Sequence, residues 1–151
     1  MYSGFKYDIV LVSGGFDPVH VGHIRMILEA SSLGDIVIIG VNSDEWLCRK
    51  KGYIFMPQEE RIEVVRSIKG VRHVLEFNDE DNSANNLIKI VRNDWPSATI
   101  AFANGGDRTQ ENIPEIEVAK ETDVELIWNI GGRKIQSSSE LVSGANKNIG
   151  E

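Results

Sequence analysis

Ile9-Val10-Leu11-Val12-Ser13-Gly14-Gly15-Phe16-Asp17-Pro18-Val19-His20-Val21-Gly22-His23 is the stretch that decides how the rest of the chain reads. Four consecutive apolar, mostly β-branched residues run into a Ser-Gly-Gly turn without polar alternation, as in a strand covered on both faces. Gly14 and Gly15 let the backbone come close to a ligand, Pro18 fixes the turn, and a helix is predicted to start near Val21. The N–H groups of that helix start can face an anion.

Working outward, similar apolar runs recur at nearly even spacing: Ile36 to Ile39, Val71 to Phe77, Ala98 to Ala103 and Val124 to Trp128. Between them lie helical patterns. Ile24, Ile27, Leu28 and Ser31 share one predicted face, and Ile62, Val65 and Ile68 another, entered through Pro57. Leu87, Ile88 and Val91 follow a candidate cap at Asn82-Ser83, Pro114 opens a weaker segment, and a last helix is expected within Ser137-Ser138-Ser139. Repeated strand–helix–strand units mean right-handed crossovers, so the expected fold is α/β, a Rossmann-like three-layer sandwich on a mainly parallel five-stranded sheet. One domain covers residues 1–151, with a weakly structured tail after Gly144. In such sheets ligands bind beyond the carboxyl ends of the strands.

Composition narrows the classes. At 41% hydrophobic and 26% charged residues, the chain is not intrinsically disordered. No apolar run approaches the roughly 18 residues of a membrane span, and the start does not read as a signal peptide. A formal charge of −7 argues against nucleic acid and anionic membranes as partners. Cys48 stands alone, so neither an internal disulfide nor a thiolate metal cluster is expected. A cytoplasmic protein is the expectation.

His20 and His23, three apart at a helix start, can address one point, donating hydrogen bonds to phosphate and stabilising charge in a transition state. Gly22 between them leaves room for the ligand. Metal chelation by the pair has only Asp17 as a nearby third ligand, so no metal site is assigned. The loop is neither a P-loop nor a G-x-G-x-x-G fingerprint, and the chain has no G-x-S-x-G elbow to make its serines hydrolytic. Arg49-Lys50-Lys51, expected in the loop after the second strand, is a basic triplet in an acidic protein, read either as a solvated run or as a phosphate contact. Arg61 at a helix start opposes the macrodipole. Ser137, Ser138 and Ser139 with Arg133 nearby form a second candidate phosphate cradle.

Gly15 to His23 resembles the signature of the H-x-G-H nucleotidylyltransferase superfamily. Val41-Asn42-Ser43-Asp44, Lys51-Gly52, the Pro57-x-x-Glu60-Arg61 helix start and Gly105-Gly106-Asp107 resemble its glycerol-3-phosphate cytidylyltransferase branch and the nucleotidyl domain of ADP-heptose synthase. The likeness spans roughly residues 8 to 142. Gly131 to Ser139 resembles the family's second signature, with serines where threonines are usual and Gln136 where an apolar residue is common.

The resemblance implies transfer of a nucleoside monophosphate, CMP favoured and AMP the alternative, from a nucleoside triphosphate to a sugar or polyol phosphate. His20, His23 and Lys50 or Lys51 would be catalytic. Gly14, Gly15, Phe16, Asp17, Gly22, Gly105, Asp107, Arg133 and Ser137 to Ser139 would bind nucleotide, and Asp44 and Arg61 substrate, the alternative for Arg61 being a surface pair with Glu59 or Glu60. Mg²⁺ would accompany the triphosphate, and a homodimer is expected by likeness alone. Two other readings are an adenylyltransferase of the pantetheine-phosphate or nicotinate-mononucleotide type and a silent nucleotide-binding protein. Against the mononucleotide type, Glu140-Leu141-Val142-Ser143 lacks the usual basic residue.

Overall fold

The computed structural model describes residues 6–104, 113–128, 130 and 131. Five strands, β1 (Tyr7–Gly14), β2 (Gly34–Val41), β3 (Val71–Glu76), β4 (Ile100–Ala103) and β5 (Val124–Ile127), form one sheet in the order β3-β2-β1-β4-β5. Every pairing is parallel. Five helices connect them: α1 (Val21–Leu33), α2 (Asp44–Lys51), α3 (Gln58–Arg66), α4 (Asn85–Asp94) and α5 (Ile116–Glu121).

The continuous apolar runs are explained by two cores, one on each face of the sheet. Val10, Val12, Val37, Ile39, Ala101 and Ala103 face α1 and α3, meeting Ile27, Ala30 and Val65. The alternate residues Ile9, Leu11, Ile38, Ile100 and Phe102 face α4 and α5, meeting Leu87, Ile88, Val91, Val118 and Ala119. This is the three-layer sandwich read from the sequence. After β3 the chain returns to the other side of β1, so β1 lies at the point where the strand order reverses.

Two helices differ from expectation. The buried face of α1 centres on Ile27 and Ala30, while Leu28 is 48% exposed. More consequentially, Arg49-Lys50-Lys51 is not in a loop; it is the last turn of α2. Ser43 caps that helix by accepting from the Trp46 N–H at 3.0 Å, Asp44 and Glu45 occupy its first turn, and the basic triplet complements its carboxyl end. Gly52 closes it at φ +83°, the left-handed conformation that a side chain strains. The expected cap of α4 also shifts by one: Ala84 is the N-cap residue, and Ser83 Oγ accepts from the Asn85 N–H at 3.1 Å. Among the described residues no helix is long and apolar enough to cross a membrane.

Candidate active site

The sequence that ends β1 places two imidazoles at the start of α1, and the backbone there dictates their chemistry. His20 is the N-cap residue, and its Nδ1 accepts from the Gly22 N–H at 3.1 Å. His23 reaches back so that its own Nδ1 accepts from the His20 N–H at 3.2 Å. The pair is a capping box made of histidines. An Nδ1 that accepts a hydrogen bond carries no proton, so each neutral ring holds its proton on Nε2, which points away from the helix end. The rings lie 4.0 Å apart between centroids, with the Phe16 ring 4.8 Å from His23. Burial first, then the nearby His20 and Lys51, hold His23 down from its ordinary 6.5 to about 3. At neutral pH His23 is an uncharged Nε2–H donor.

The glycines act differently from the sequence reading. A Cβ on Gly22 would lie 2.9 Å from His20 Cε1, so the space it leaves is taken by the capping imidazole and not by a ligand. A Cβ on Gly14 would meet the Phe16 ring at 3.1 Å, and one on Gly15 would meet Leu47 at the same distance. Their small size serves packing of the turn against Phe16 and α2.

Arg61 also needs correcting. It is fully buried, so it is neither the surface arginine paired with Glu59 or Glu60 nor a group with accessible surface for substrate. Its Nε donates to the Met56 carbonyl at 2.9 Å, Nη1 to the carbonyls of Gly15 (2.8 Å) and Asn42 (2.7 Å), and Nη2 to Asp44 Oδ1 at 2.7 Å. One guanidinium thereby ties together the ends of β1 and β2, the start of α2 and the segment before α3. That geometry answers the macrodipole objection, because the charge is paired locally. Asp44 is spent on the same knot and on the Gln58 N–H, 2.8 Å away, at the start of α3. Asp17 and Phe16 are likewise buried. The Asp17 carboxylate accepts from the backbone N–H groups of Phe55 (2.7 Å) and Met56 (2.6 Å), anchoring the segment that leads into α3.

The two lysines separate. Lys51 is the charge that acts on His23, whereas Lys50 Nζ sits 5.7 Å from the Trp46 ring centroid. Lys50 and Trp46 line a cleft of about 410 Å³ at the carboxyl ends of the strands, together with Ser13, Asn82, Ser83 and Glu115. Glu115 is 1% exposed and accepts from the Ala84 N–H at 2.9 Å. Sequence reading passed over Trp46, Glu115 and Asp79. Asp79 holds the start of α2 by accepting from Asn42 Nδ2 (3.0 Å), Ser43 N–H (2.8 Å) and Ser43 Oγ (2.7 Å). Its only signal is its place in the acidic run Asn78-Asp79-Glu80-Asp81 after β3.

Gly105, Asp107, Arg133 and Ser137 to Ser139 lie outside the described residues. Among the described residues no three His, Cys, Asp or Glu side chains cluster as metal ligands.

A parallel sheet of this order, with paired imidazoles at its switch point, defines an α/β domain whose candidate site lies at the carboxyl ends of its strands. The chain belongs to the cytidylyltransferase-like family, which matches residues 11–145, and is thereby a nucleotidyltransferase. It is 35% identical over 127 residues to the bifunctional protein HldE of a Nitratiruptor species, covering 83% of this chain and 25% of that one. The chain thus spans about a quarter of the length of that relative. Among solved structures it superposes on a lipopolysaccharide core biosynthesis protein from Thermoplasma volcanium (TM-score 0.63, 22% identity, 86% of this chain and 99% of that one). It also superposes on a bifunctional NMN adenylyltransferase/ADP ribose pyrophosphatase from Francisella tularensis complexed with AMP and a manganese ion (TM-score 0.64, 21% identity, 95% and 42%).

Proposed function

We propose that this domain transfers a nucleoside monophosphate from a nucleoside triphosphate to a sugar or polyol phosphate. A phosphate oxygen of the acceptor attacks the α-phosphorus in line; the new P–O bond forms as the bond to the β-phosphate bridge breaks, and pyrophosphate leaves. The nucleophile is already anionic, so no strong base is required, and catalysis consists of positioning and charge stabilisation. The observation that carries this reading is the histidine capping box, which fixes two Nε2–H donors side by side at one helix start. In the proposed complex His20 and His23 donate to the α- and β-phosphates, and Lys51 neutralises the triphosphate beside them. Mg²⁺ arrives bound to the triphosphate and shields its charge. Gly105, Asp107, Arg133 and Ser137 to Ser139 remain assigned to nucleotide, on likeness to the family's motifs.

The nucleotide proposed first is CTP, following the family match. ATP is the second reading, favoured by the likeness to HldE and by the AMP-bound structural neighbour. A cytoplasmic setting and a homodimer complete the proposal, both by family likeness. The test is pyrophosphate release with Mg²⁺, crossing CTP, ATP, UTP and GTP with a panel of sugar and polyol phosphates. Acceptor-dependent release supports the reading. Triphosphate binding with no release over the whole panel supports a silent nucleotide-binding protein instead.

A further inference from the structure

The histidine pair is not the end of the ring cluster at the start of α1, because His23 also packs against Phe16. The Phe16 backbone has a φ of +53°, the left-handed region that a bulky side chain adopts only under strain. Its ring is 1% exposed and belongs to the α1-side core with Val12, Ile27 and Ile130. Gly14 makes room for that ring, since a Cβ there would lie 3.1 Å from Phe16 Cε2. Strain of this kind persists where the surrounding structure over-determines it, and it gathers at sites where geometry matters. Here it brings the Phe16 and His23 ring centroids to 4.8 Å at an interplanar angle of 50°, while His23 lies 4.0 Å from His20.

The capping bond alone does not fix where His23 points. It ties Nδ1 to the His20 N–H at 3.2 Å, but the outer torsion of a histidine side chain is soft, and a ring held by one bond can tilt about it. Contact with a flat ring anchored in the core removes that freedom. Phe16 also takes the place of water against His23, and burial is the largest cause of that imidazole's uncharged state. The other groups acting on that state are His20 at the cap of α1 and Lys51 from α2.

Resting on the function proposed above, we infer that Phe16 is a positioning residue for the transfer reaction: its ring, turned against His23 by a left-handed backbone, aims the His23 Nε2–H at the charge that develops on the phosphates. Buried as it is, Phe16 acts through His23 and not on the nucleotide itself. Its effect falls on turnover, and triphosphate affinity is left to other groups.

The test compares Phe16→Leu with Phe102→Leu, the same substitution at an equally buried phenylalanine in the α4/α5-side core. Melting curves check that both fold, imidazole nitrogen NMR reads His23, and pyrophosphate release gives kcat and KM. Phe16→Leu should lower kcat about tenfold or more, with KM for the triphosphate changed by less than about threefold. Its His23 should lose the single Nε2–H signature and titrate nearer 6.5 than the wild-type value of about 3. Phe102→Leu should keep the wild-type His23 signature and turnover. Two leucine variants that behave alike overturn the inference, as does a Phe16→Leu protein with wild-type kcat and His23 signature. Should Phe16→Leu fail to fold, Phe16→Met, which keeps more of the side chain's length, decides by the same readouts. A changed His23 signature in the variant with no pyrophosphate release from wild type would leave the positioning of His23 standing and sink the proposed reaction; release from wild type with an indifferent variant would do the reverse.

Discussion

The histidine turn and the Arg61 knot are neighbours at the same sheet edge, and both read in the sequence as groups facing phosphate. They differ in where their hydrogen-bonding capacity goes. His20 and His23 spend one nitrogen each on the start of α1 and direct the other away from it. Arg61 spends four bonds on three carbonyls and a carboxylate and is fully buried. The lesson is that a cationic side chain beside the site can serve to join the segments that build it. Burial and the count of satisfied donors separate the two roles, and neither is visible in spacing.

The largest effect that would break this contrast lies at Arg61. Arg61→Met removes the guanidinium and leaves the carbonyls of Gly15, Asn42 and Met56 without their donor and Asp44 with the Gln58 N–H alone, so a loss of about 2–4 kcal/mol is expected. Denaturant unfolding measures it; a variant as stable as wild type would refute the knot. Next comes His20→Asn. Asparagine is a good N-cap and keeps a side-chain acceptor for the helix, but it lacks the outward Nε2–H. Pyrophosphate release should fall about 10²–10³-fold while stability changes by less than about 1 kcal/mol. Loss of both together would make His20 structural, like Arg61.

Asp17→Asn should be intermediate in stability, costing about 1–3 kcal/mol, because one of two backbone N–H groups would lose a charged acceptor. Thermal melting checks this, and no change would remove Asp17 from the scaffold. At neutral pH the smallest expected effect is that of His23, whose contribution emerges only on acidification. His23 protonates near 6.5 in the unfolded chain and near 3 when folded, so across that window the unfolded state holds the extra proton. Folding stability should therefore rise with pH from about 3 to 6.5 on account of this group. His23→Gln, which keeps a side-chain acceptor for the His20 N–H, should flatten that part of the profile; an unchanged slope would assign it elsewhere.

The sheet was legible because both of its faces are buried: Ile9 to Val12 and Ile36 to Ile39 read as unbroken apolar runs for that physical reason. The histidine pair was legible too, from two imidazoles at helical spacing after a strand. Helix α2 was missed although its signals were all present, with Ser43 as cap, acids in the first turn, bases in the last and Gly52 beyond. Its charge density made it resemble a loop, and only one of its residues, Leu47, is buried. The scaffold bonds of Arg61, Asp17, Asp44 and Glu115 were not legible because most of their partners are backbone groups or side chains 14 to 46 positions away. Nothing local encodes such pairings.

The central claim is that the capping box makes both histidines Nε2–H donors for phosphate, and imidazole nitrogen NMR on histidine-labelled protein tests it directly. The account predicts two Nε2–H tautomers at neutral pH, His23 resisting protonation far below 6.5, and Nε2 shifts in both rings on adding a Mg²⁺–triphosphate analogue that cannot be cleaved. Either ring as the Nδ1–H tautomer, His23 titrating near 6.5, or Nε2 signals indifferent to the analogue would contradict it.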